Sequence, residues 1–321
     1  MQLSEYLEKS AEEIDKALNR FYGDVFGDLH RASAHLLLAG GKRLRPVVTL
    51  LAADAVKKGS AQDILPAALA LEITHTFTLI HDDIMDADSQ RRGVPTVHTL
   101  WDEPTAILAG DVLYANAFEF LCRALSSDEA RIKAVSMLAR TCAEICEGQH
   151  MDISFASRED VTEGEYLEMV SKKTGVLYAA AAAIGGMLAG GNVVQIKALY
   201  DWGMNSGIAF QLQDDLIDLT AVSSVSGKDR ASDLREGKKT LIAIIAGQRG
   251  VDLSVYRKRE LSAAEVDEAV AVLEKEGVIA EVRAAAESRV GTAKQALSIL
   301  PPSQEREFLA EISDYFVSRG F

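Results

Sequence analysis

Two clusters of aspartate residues interrupt apolar segments of this 321-residue chain, each with the spacing Asp-Asp-x-x-Asp. The first, DDIMD, runs from Asp82 to Asp86, and the second, DDLID, from Asp214 to Asp218. Residues four apart share one face of a helix, where two like charges destabilise the bare helix. A hard divalent cation such as Mg²⁺ removes that penalty, since it binds carboxylates together with phosphate oxygens. The clusters therefore predict a diphosphate bound through metal ions between two helices.

Helical patterns of apolar residues run along almost the whole chain, whereas no segment shows the alternation and hairpin turns of a sheet. The sequence therefore predicts an all-α, layered helical protein without a sheet, folded as a single domain over residues 1–321. The predicted helices are about 3–20, 28–38, 44–58, 64–88, 104–124, 128–153, 163–173, 175–190, 194–219, 238–247, 263–275, 278–297 and 303–318.

The composition is that of a soluble globular protein, with 48% hydrophobic and 26% charged residues. A formal net charge of −14 argues against a general nucleic-acid-binding function. The three cysteines, Cys122, Cys142 and Cys146, do not form a disulfide framework, which indicates a reducing compartment such as the cytoplasm. Cys142 and Cys146 are four apart, but no further Cys or His supports a metal site, and two buried small apolar side chains are the favoured interpretation.

The segment 174–196 contains no charged residue and is long enough to span a membrane. It consists largely of alanine and glycine, however, with Gly-Gly pairs at 185–186 and 190–191. A helix buried on all sides, packed closely through its small residues and ending near the second glycine pair, is the favoured interpretation. The N-terminus lacks the pattern of a signal peptide, and we expect no transmembrane segment.

Basic residues are concentrated in a few elements of this acidic chain. Arg91 and Arg92 follow the first aspartate cluster, and the segment GGKRLRP contains Lys42, Arg43 and Arg45. Arginine binds anionic oxygens bidentately, and paired glycines permit a close approach of the backbone. Taken singly, each element is more often a surface salt bridge or an ordinary basic loop.

Lys172, Lys173 and Thr174 are predicted to open the alanine-rich helix, where cations and unpaired N–H groups bind an anion. An N-cap at Thr174 is the simpler alternative, and it does not exclude the first.

The second aspartate cluster belongs to a polar stripe on a predicted helix. Gln211, Asp214, Asp215 and Asp218 follow the spacing i, i+3, i+4, i+7, and apolar residues surround the stripe rather than oppose it. A polar stripe in a buried helix indicates a site. The polar segment 220–239 that follows is predicted to be a basic lid over that site. Together with the basic elements, this inventory favours two polyanionic substrates, at least one of them with an apolar tail.

The motifs GGKRLRP, HDDIMDADSQRRG, KTG, FQLQDDLID and GKDRASDLREGKKT, in this order, resemble those of the trans-isoprenyl diphosphate synthases over about residues 30–245. The resemblance implies an all-α isoprenoid synthase fold around a deep central cavity, usually as a homodimer. It also implies Mg²⁺-dependent condensation of isopentenyl diphosphate with an allylic diphosphate (dimethylallyl, geranyl or farnesyl), with about three Mg²⁺ ions when substrate is bound.

The resemblance implies a role for each matching residue. The direct metal ligands are Asp82, Asp86 and Asp214, and the residues acting on the metal through water or hydrogen bonds are Asp83, Asp215 and Asp218. The allylic diphosphate is held by Arg91, Lys173, Thr174, Gln211, Lys228 and Lys238. Isopentenyl diphosphate is held by Lys42, Arg45, His75 and Arg92. The residues expected to contribute most to catalysis are Asp82, Asp86, Asp214, Lys173 and Arg91.

The family pattern also bears on product length through the residues before Asp82. Phe77 is the bulky residue five positions earlier and Thr78 is small, which resembles the archaeal short-chain type and favours a geranylgeranyl (C20) product, with farnesyl (C15) next. On an ideal helix Phe77 lies about 140° from Asp82, whereas Thr78 lies only about 40° away. The geometry therefore leaves open that Phe77 is a plain core residue.

Other functions remain as alternatives at this point. A terpene cyclase or a head-to-head synthase shares the aspartate motifs but has no use for an isopentenyl diphosphate site. A catalytically silent regulatory subunit is disfavoured because both motifs and every basic element are present. A Ca²⁺-binding protein is disfavoured because the EF-hand loop pattern is absent.

Overall fold

The computed structural model describes residues 2–220, 230–257 and 260–318. These residues are helical nearly throughout, which confirms the all-α prediction, and most helix ends fall within a few residues of those predicted. The helices are α1 (Leu3–Tyr22), α2 (Asp28–Leu38), α3 (Leu44–Val56), α4 (Leu65–Met85), α5 (Val97–Leu100), α6 (Glu103–Cys122), α7 (Asp128–Phe155), α8 (Glu163–Val170), α9 (Val176–Leu188), α10 (Val193–Thr220), α11 (Ser232–Glu236), α12 (Leu241–Gln248), α13 (Ala263–Lys275), α14 (Val278–Ala296) and α15 (Gln304–Ser318). Shorter turns are the π-helical Ser171–Gly175 and the 3₁₀ turns Ser254–Tyr256 and Leu297–Ile299.

The backbone contacts divide the chain into two compact units. The first unit contains residues 1–142, 180–200 and 299–309, and the second contains residues 143–179, 201–298 and 310–321. The first aspartate cluster therefore belongs to the first unit and the second cluster to the second unit. The expectation of a single domain stays a prediction.

The core of the first unit is built mainly on α3, α4 and α6. Helix α4 is apolar along most of its length, begins with Pro66 in its first turn and packs along α6. Gly110 of α6 permits the close approach, because a Cβ atom there would lie 2.2 Å from His81 Nε2. His81 Nε2 in turn lies 3.1 Å from the carbonyl oxygen of Ile107 on the same helix. Tight packing against α6 thus fixes α4, whose last turn carries the first aspartate cluster.

The uncharged segment forms a buried helix, as predicted. Every residue of α9 is buried, and the helix ends before the second glycine pair. At Gly185 a Cβ atom would lie 2.2 Å from the carbonyl oxygen of Thr49, so only glycine permits this packing against α3. Its 13 residues are too few to span a bilayer. Among the described residues, α6 alone has the length and hydropathy of a membrane span, and a buried core helix passes the same test.

The prediction that the chain has no sheet is wrong at one place. Residues Gln90–Arg91 (β1) and Val94–Pro95 (β2) form a two-stranded antiparallel hairpin in which Arg91 pairs with Val94. Its two turn residues, Arg92 and Gly93, have φ values of 55° and 75°, which is the backbone of a type I′ turn. Strands of two residues show no alternation, and arginine replaces the usual asparagine or aspartate of such turns.

The second unit has its own apolar core, formed by α8, α10, α12, α13 and α14 around residues such as Leu212, Leu241 and Val282. Two of its helices begin with capping boxes, Thr162 with Glu165 on α8 and Ser262 with Glu265 on α13. These caps and the apolar core hold α8 and α10 in place, and both helices contribute side chains to the second aspartate cluster.

The cysteine prediction is half correct. Cys142 is buried, whereas Cys146 is exposed, so the interpretation of two buried side chains is wrong for Cys146. Cys146 occupies an outward position of α7, one turn beyond Cys142. All three cysteines are free thiols.

Candidate active site

The first aspartate cluster lies at the C-terminal end of α4. Asp82 is half-buried, Asp83 is fully buried, and Asp86 is exposed as the C-cap residue. The N–H of Asp86 donates to the carbonyl oxygen of Asp82 at 2.8 Å, so Asp86 follows Asp82 by one helical turn, as predicted. The helix ends earlier than predicted because Ala87 adopts a left-handed backbone with φ 54°.

Arg91 binds the inward-facing aspartate of this cluster. Its Nε donates to Asp83 Oδ1 at 2.7 Å and its Nη2 donates to Asp88 Oδ2 at 2.6 Å. The other oxygen of Asp83, Oδ2, is buried and has no hydrogen-bond partner among the described residues. Burial raises the pKa of Asp83, although the charge of Arg91 opposes that shift. Arg91 therefore lies beside the first aspartate cluster, and an inward-facing carboxylate oxygen remains there for a further ligand.

Arg92 points elsewhere. Its Nη2 donates to Glu72 Oε1 at 3.0 Å, and its Nη1 donates to the carbonyl oxygen of Leu36 at 3.2 Å. The hairpin turn thus directs two consecutive arginines to different carboxylates, Arg91 to the aspartate cluster and Arg92 to Glu72. The alternative in which both arginines pair with Asp82–Asp88 holds for Arg91 only.

Burial and charge together lower the pKa of His75 on α4 well below 6.5. Burial is the largest cause, and the remaining causes are the guanidinium charges of Arg45, Arg92, Arg43 and Arg91. Three of the four residues predicted to hold isopentenyl diphosphate, Arg45, His75 and Arg92, therefore lie close together in the first unit. The fourth, Lys42, is exposed three positions before Arg45.

A chain of buried hydrogen bonds surrounds the second aspartate cluster. The hydroxyl of Tyr166 donates to Asp215 Oδ2 at 2.5 Å, and Gln211 Nε2 donates to Asp215 Oδ1 at 3.0 Å. Thr174 Oγ1 donates to Gln211 Oε1 at 3.0 Å. Burial, followed by the charge of Asp233, raises the pKa of Asp215 well above its ordinary value. The predicted stripe thus connects Thr174, Gln211 and Asp215, and Asp214 lies half-buried beside it.

Asp218 anchors the segment after the second aspartate cluster. Its Oδ1 accepts from the hydroxyl and the N–H of Ser232 at 2.6 and 3.2 Å, and its Oδ2 accepts from the N–H of Asp233 at 3.1 Å. Burial, followed by the charge of Asp233, raises its pKa. These bonds fix the first turn of α11 against α10.

Two lysines predicted to hold the allylic diphosphate, Lys173 and Lys238, are bound to carboxylates. Lys173 Nζ donates to Asp152 Oδ2 at 2.5 Å, and Lys238 Nζ lies 3.2 Å from Asp233 and 3.1 Å from Glu236. Both lysines line a cavity of about 90 Å³. Its polar lining is Asp152, Tyr166, Lys173, Thr174, Gln211, Asp215, Asp233, Lys238, Lys239 and Thr240. Lys228 and the rest of residues 221–229, nine of the twenty residues of the predicted lid, lie outside the described residues.

The predicted helix N-terminus at Lys172–Thr174 is wrong. Helix α8 continues through the π-helical turn Ser171–Gly175 into α9, and the N–H of Val176 donates to the carbonyl oxygen of Ser171. Thr174 is therefore neither an N-cap nor next to unpaired N–H groups. The turn is held closely by α7, because a Cβ atom at Gly148 would lie 2.4 Å from the nitrogen of Lys173. Such π-helical insertions are frequent at functional sites.

The aspartates fit a magnesium ion in their donor chemistry. Within the described part of the chain, no three His, Cys, Asp or Glu side chains converge as a complete metal site. Mg²⁺ does not require such a site, since it usually takes one or two carboxylates together with substrate phosphates and water. The half-buried carboxylate of Asp82 and the exposed carboxylate of Asp86 meet that requirement in the first unit.

Phe77 is buried between α4 and α6. Its ring packs edge-on against Tyr114 of α6, with 5.3 Å between ring centroids, and lies 6.0 Å from the ring of His81. Thr78 is half-buried, and its hydroxyl donates to the carbonyl oxygen of His75. Phe77 therefore faces α6, as the helical geometry indicates. Its role as a cavity floor stays a prediction.

Several site residues were not predicted from the sequence. Each is a buried or half-buried partner of another site residue, and they are Glu72, Asp152, Tyr166 and Asp233. Glu72 stood out as a charge within the apolar run of α4, and that signal could have identified it. The other three carry no comparable local signal. Arg43 was recognised as part of the basic segment GGKRLRP, but its buried partners were not predicted.

The comparisons with known proteins all indicate the same family. The family model described as polyprenyl synthetase matches residues 27–273. Geranylgeranyl diphosphate synthase of Methanosarcina mazei is 48% identical over 92% of this chain and 90% of the relative. Geranylfarnesyl diphosphate synthase of Natronomonas pharaonis is 46% identical over 91% of this chain and 90% of the relative. The solved structure of geranylgeranyl pyrophosphate synthetase from Geoglobus acetivorans is similar with a TM-score of 0.91, at 44% identity, covering 98% of this chain and 99% of that chain.

Proposed function

This chain belongs to the polyprenyl synthetase family and is a prenyltransferase with the all-α isoprenoid synthase fold, and we propose that it condenses isopentenyl diphosphate with an allylic diphosphate to form geranylgeranyl diphosphate. The observation that carries the proposal is the 48% identity to a geranylgeranyl diphosphate synthase over 92% of the chain. The grouping of Arg45, His75 and Arg92 supports a second anion site, which neither a cyclase nor a calcium-binding protein requires.

The aspartate clusters are proposed to bind the allylic diphosphate through Mg²⁺. Asp82, Asp86 and Asp214 would be direct ligands of the ions, supported indirectly by Asp83, Asp215 and Asp218. When bound, Mg²⁺ stabilises the negative charge that develops on the leaving diphosphate.

Basic residues complete this stabilisation. Arg91 lies beside the first aspartate cluster, and Lys173 lines the cavity beside Gln211 and Thr174. Lys173 and Lys238 now bind carboxylates, so we propose that they exchange those partners for diphosphate oxygens when substrate enters. Fixed cations aimed at the departing oxygens lower the barrier to cleavage of the C–O bond.

The second substrate is proposed to bind at the guanidinium cluster of the first unit, through Lys42, Arg45, His75 and Arg92. Cleavage of the allylic C–O bond releases diphosphate and leaves an allylic cation, which the double bond of isopentenyl diphosphate attacks. The departing diphosphate is proposed to take the proton whose loss forms the double bond of the elongated product. Apolar walls are needed so that the double bond, and not water, captures the cation.

A C25 product is the second candidate. The similarity to the Natronomonas pharaonis enzyme, named a geranylfarnesyl diphosphate synthase, favours it over the C15 product expected second from the sequence. Phe77 favours the shorter C20 product, because a buried aromatic ring on α4 limits the space for a growing chain.

The protein is further proposed to act as a cytoplasmic homodimer. Exposed apolar side chains on α6, Ile107, Leu108 and Tyr114, support an interface between copies of the chain. The free cysteines are consistent with a reducing compartment.

Product analysis tests the proposed function directly. The purified protein is incubated with Mg²⁺, isopentenyl diphosphate and each allylic diphosphate in turn, and the dephosphorylated alcohols are separated by chromatography. We expect geranylgeraniol as the main product, and none when isopentenyl diphosphate is omitted. Cyclic products formed from the allylic diphosphate alone would contradict the proposal, and geranylfarnesiol would select the second candidate.

A further inference from the structure

A buried carboxylate of α4 connects two guanidinium groups of the first unit. The side chain of Glu72 is only 2% exposed, and its Oε1 accepts from Arg43 Nη1 at 2.5 Å and from Arg92 Nη2 at 3.0 Å. Burying an unpaired carboxylate is costly, so this position requires its cationic partners. Neither Glu72 nor Arg43 has a role in the function proposed above.

Arg43 makes internal hydrogen bonds that stabilise the fold, rather than binding a ligand. Its side chain is 1% exposed, and each of its three guanidinium nitrogens donates a hydrogen bond. Nε donates to Asp15 Oδ1 at 2.8 Å, Nη1 to Glu72, and Nη2 to the carbonyl oxygen of Leu37 at 2.7 Å. Because the side chain is buried, this guanidinium is not accessible to a substrate.

The backbone at Arg43 is held in a conformation that a non-glycine residue rarely adopts. Its φ of 49° is left-handed, which is unfavourable for an L-residue. Such a conformation persists only where surrounding contacts determine it, and the three side-chain bonds of Arg43 provide them. Lys42 directly precedes Arg43 in the chain, and Arg45 follows it by two positions. The contact with Glu72 therefore fixes the loop that presents both cations.

The same carboxylate fixes the hairpin turn. Arg92 also has a left-handed backbone, with φ 55°, and its guanidinium is held by Glu72 and Leu36. The loop meets this guanidinium at Gly41, where a Cβ atom would lie 3.3 Å from Arg92 Cζ. The side chain of Arg92 is 16% exposed, so unlike Arg43 it retains contact with the exterior.

We propose that Glu72 is the positioning residue of the isopentenyl diphosphate site. By binding Arg43 and Arg92 through one oxygen, it holds the Lys42–Arg45 loop and the Arg92 hairpin turn together as a single anion-binding surface. This inference rests on the proposed function, and it assigns Glu72 a role without direct contact with substrate.

The test compares the two substrates in the variant Glu72→Gln. Gln keeps the shape of the side chain but removes the charge that holds both guanidinium groups. We expect KM for isopentenyl diphosphate to rise at least about tenfold, because charge-assisted hydrogen bonds are lost. We expect KM for farnesyl diphosphate and kcat to change less than about twofold, since the aspartate clusters are untouched.

Glu305→Gln is the matched control. Glu305 is another buried carboxylate of the first unit, 6% exposed, and its ion pair is with Lys58 of a different segment. We expect it to leave both KM values unchanged. An equal rise of both KM values in Glu72→Gln, or no rise in either, would overturn the proposal.

Glu72→Asp addresses a possible failure to fold. This variant keeps the negative charge but moves it away from Arg43 and Arg92 by the length of one methylene group. A rise in KM for isopentenyl diphosphate alone would support the proposal. If both variants lose the helical circular dichroism of the native protein, Glu72 serves folding and the positioning role is wrong. The wild-type enzyme is assayed in parallel, and its failure to consume isopentenyl diphosphate would refute the proposed function instead.

Discussion

The imidazole of His75 lies in the field of four guanidinium groups, and this arrangement has a measurable consequence at the scale of a single residue. Burial and these positive charges lower the pKa of His75 well below 6.5. The neutral ring is therefore the favoured form in the folded protein. A neutral imidazole can donate or accept a hydrogen bond without adding to the positive charge around it.

The shift predicts how stability depends on pH. Between the lowered folded pKa and the unfolded value of about 6.5, the unfolded chain binds more protons, so stability is lost as the pH falls through this range. Urea denaturation at pH values of about 7.5 and 5.5 measures the loss in the wild type and in His75→Gln. We expect a smaller loss in the variant, because it lacks the titrating ring. Equal losses would show that His75 does not have a lowered pKa.

Residue identities at the site could be predicted from the sequence, but their partners could not. The aspartate clusters and the basic residues stand in short motifs that are visible locally. Tyr166 and Asp215 lie 49 positions apart, and Arg43 and Glu72 lie 29 apart. Such pairs follow from how the helices pack, which a single sequence does not specify.

At the scale of an element, α4 carries two functions on different faces. Its last turn presents the aspartate cluster, while Phe77 packs against Tyr114 of α6. The ring is 6% exposed and occupies space that a smaller side chain would leave open.

Replacing Phe77 tests whether this ring limits chain length. We expect Phe77→Ser to shift the products toward chains longer than C20, because it removes an aromatic side chain from the wall beside α6. Phe118→Ser is the control, since Phe118 is an aromatic residue of α6 whose ring packs on the same Tyr114. Chromatography of the alcohols measures both, and an unchanged product spectrum in Phe77→Ser would make Phe77 a plain core residue.

The helices themselves were well predicted because apolar periodicity and caps are local signals. The hairpin at Gln90–Pro95 was missed because its strands are too short to alternate. The turn Ser171–Gly175 was missed because Lys172–Thr174 read as a helix start, whereas the backbone continues through a π-helical turn. Both irregular elements carry predicted site residues, where packing and function take precedence over local preference.

At the scale of the whole molecule, the two aspartate clusters belong to different units of the chain. Each cluster contains one buried aspartate held by hydrogen bonds, Asp83 by Arg91 and Asp215 by Tyr166. The partner in the first cluster is thus a cation, whereas the partner in the second cluster is a neutral hydroxyl. The function proposed above assigns ligands of the allylic diphosphate to residues of both clusters.

The most direct test of this account is the turnover of Asp82→Ala and Asp214→Ala with isopentenyl and farnesyl diphosphates. We expect each variant to lose at least about 10²-fold in kcat while keeping its helical circular dichroism, because each removes a proposed ligand of the Mg²⁺ ions that would stabilise the charge on the leaving diphosphate. Asp24→Ala, at an exposed aspartate outside the helices, is the control and should retain wild-type turnover. Near-normal turnover in either Asp82→Ala or Asp214→Ala would contradict the claim that both clusters serve one reaction.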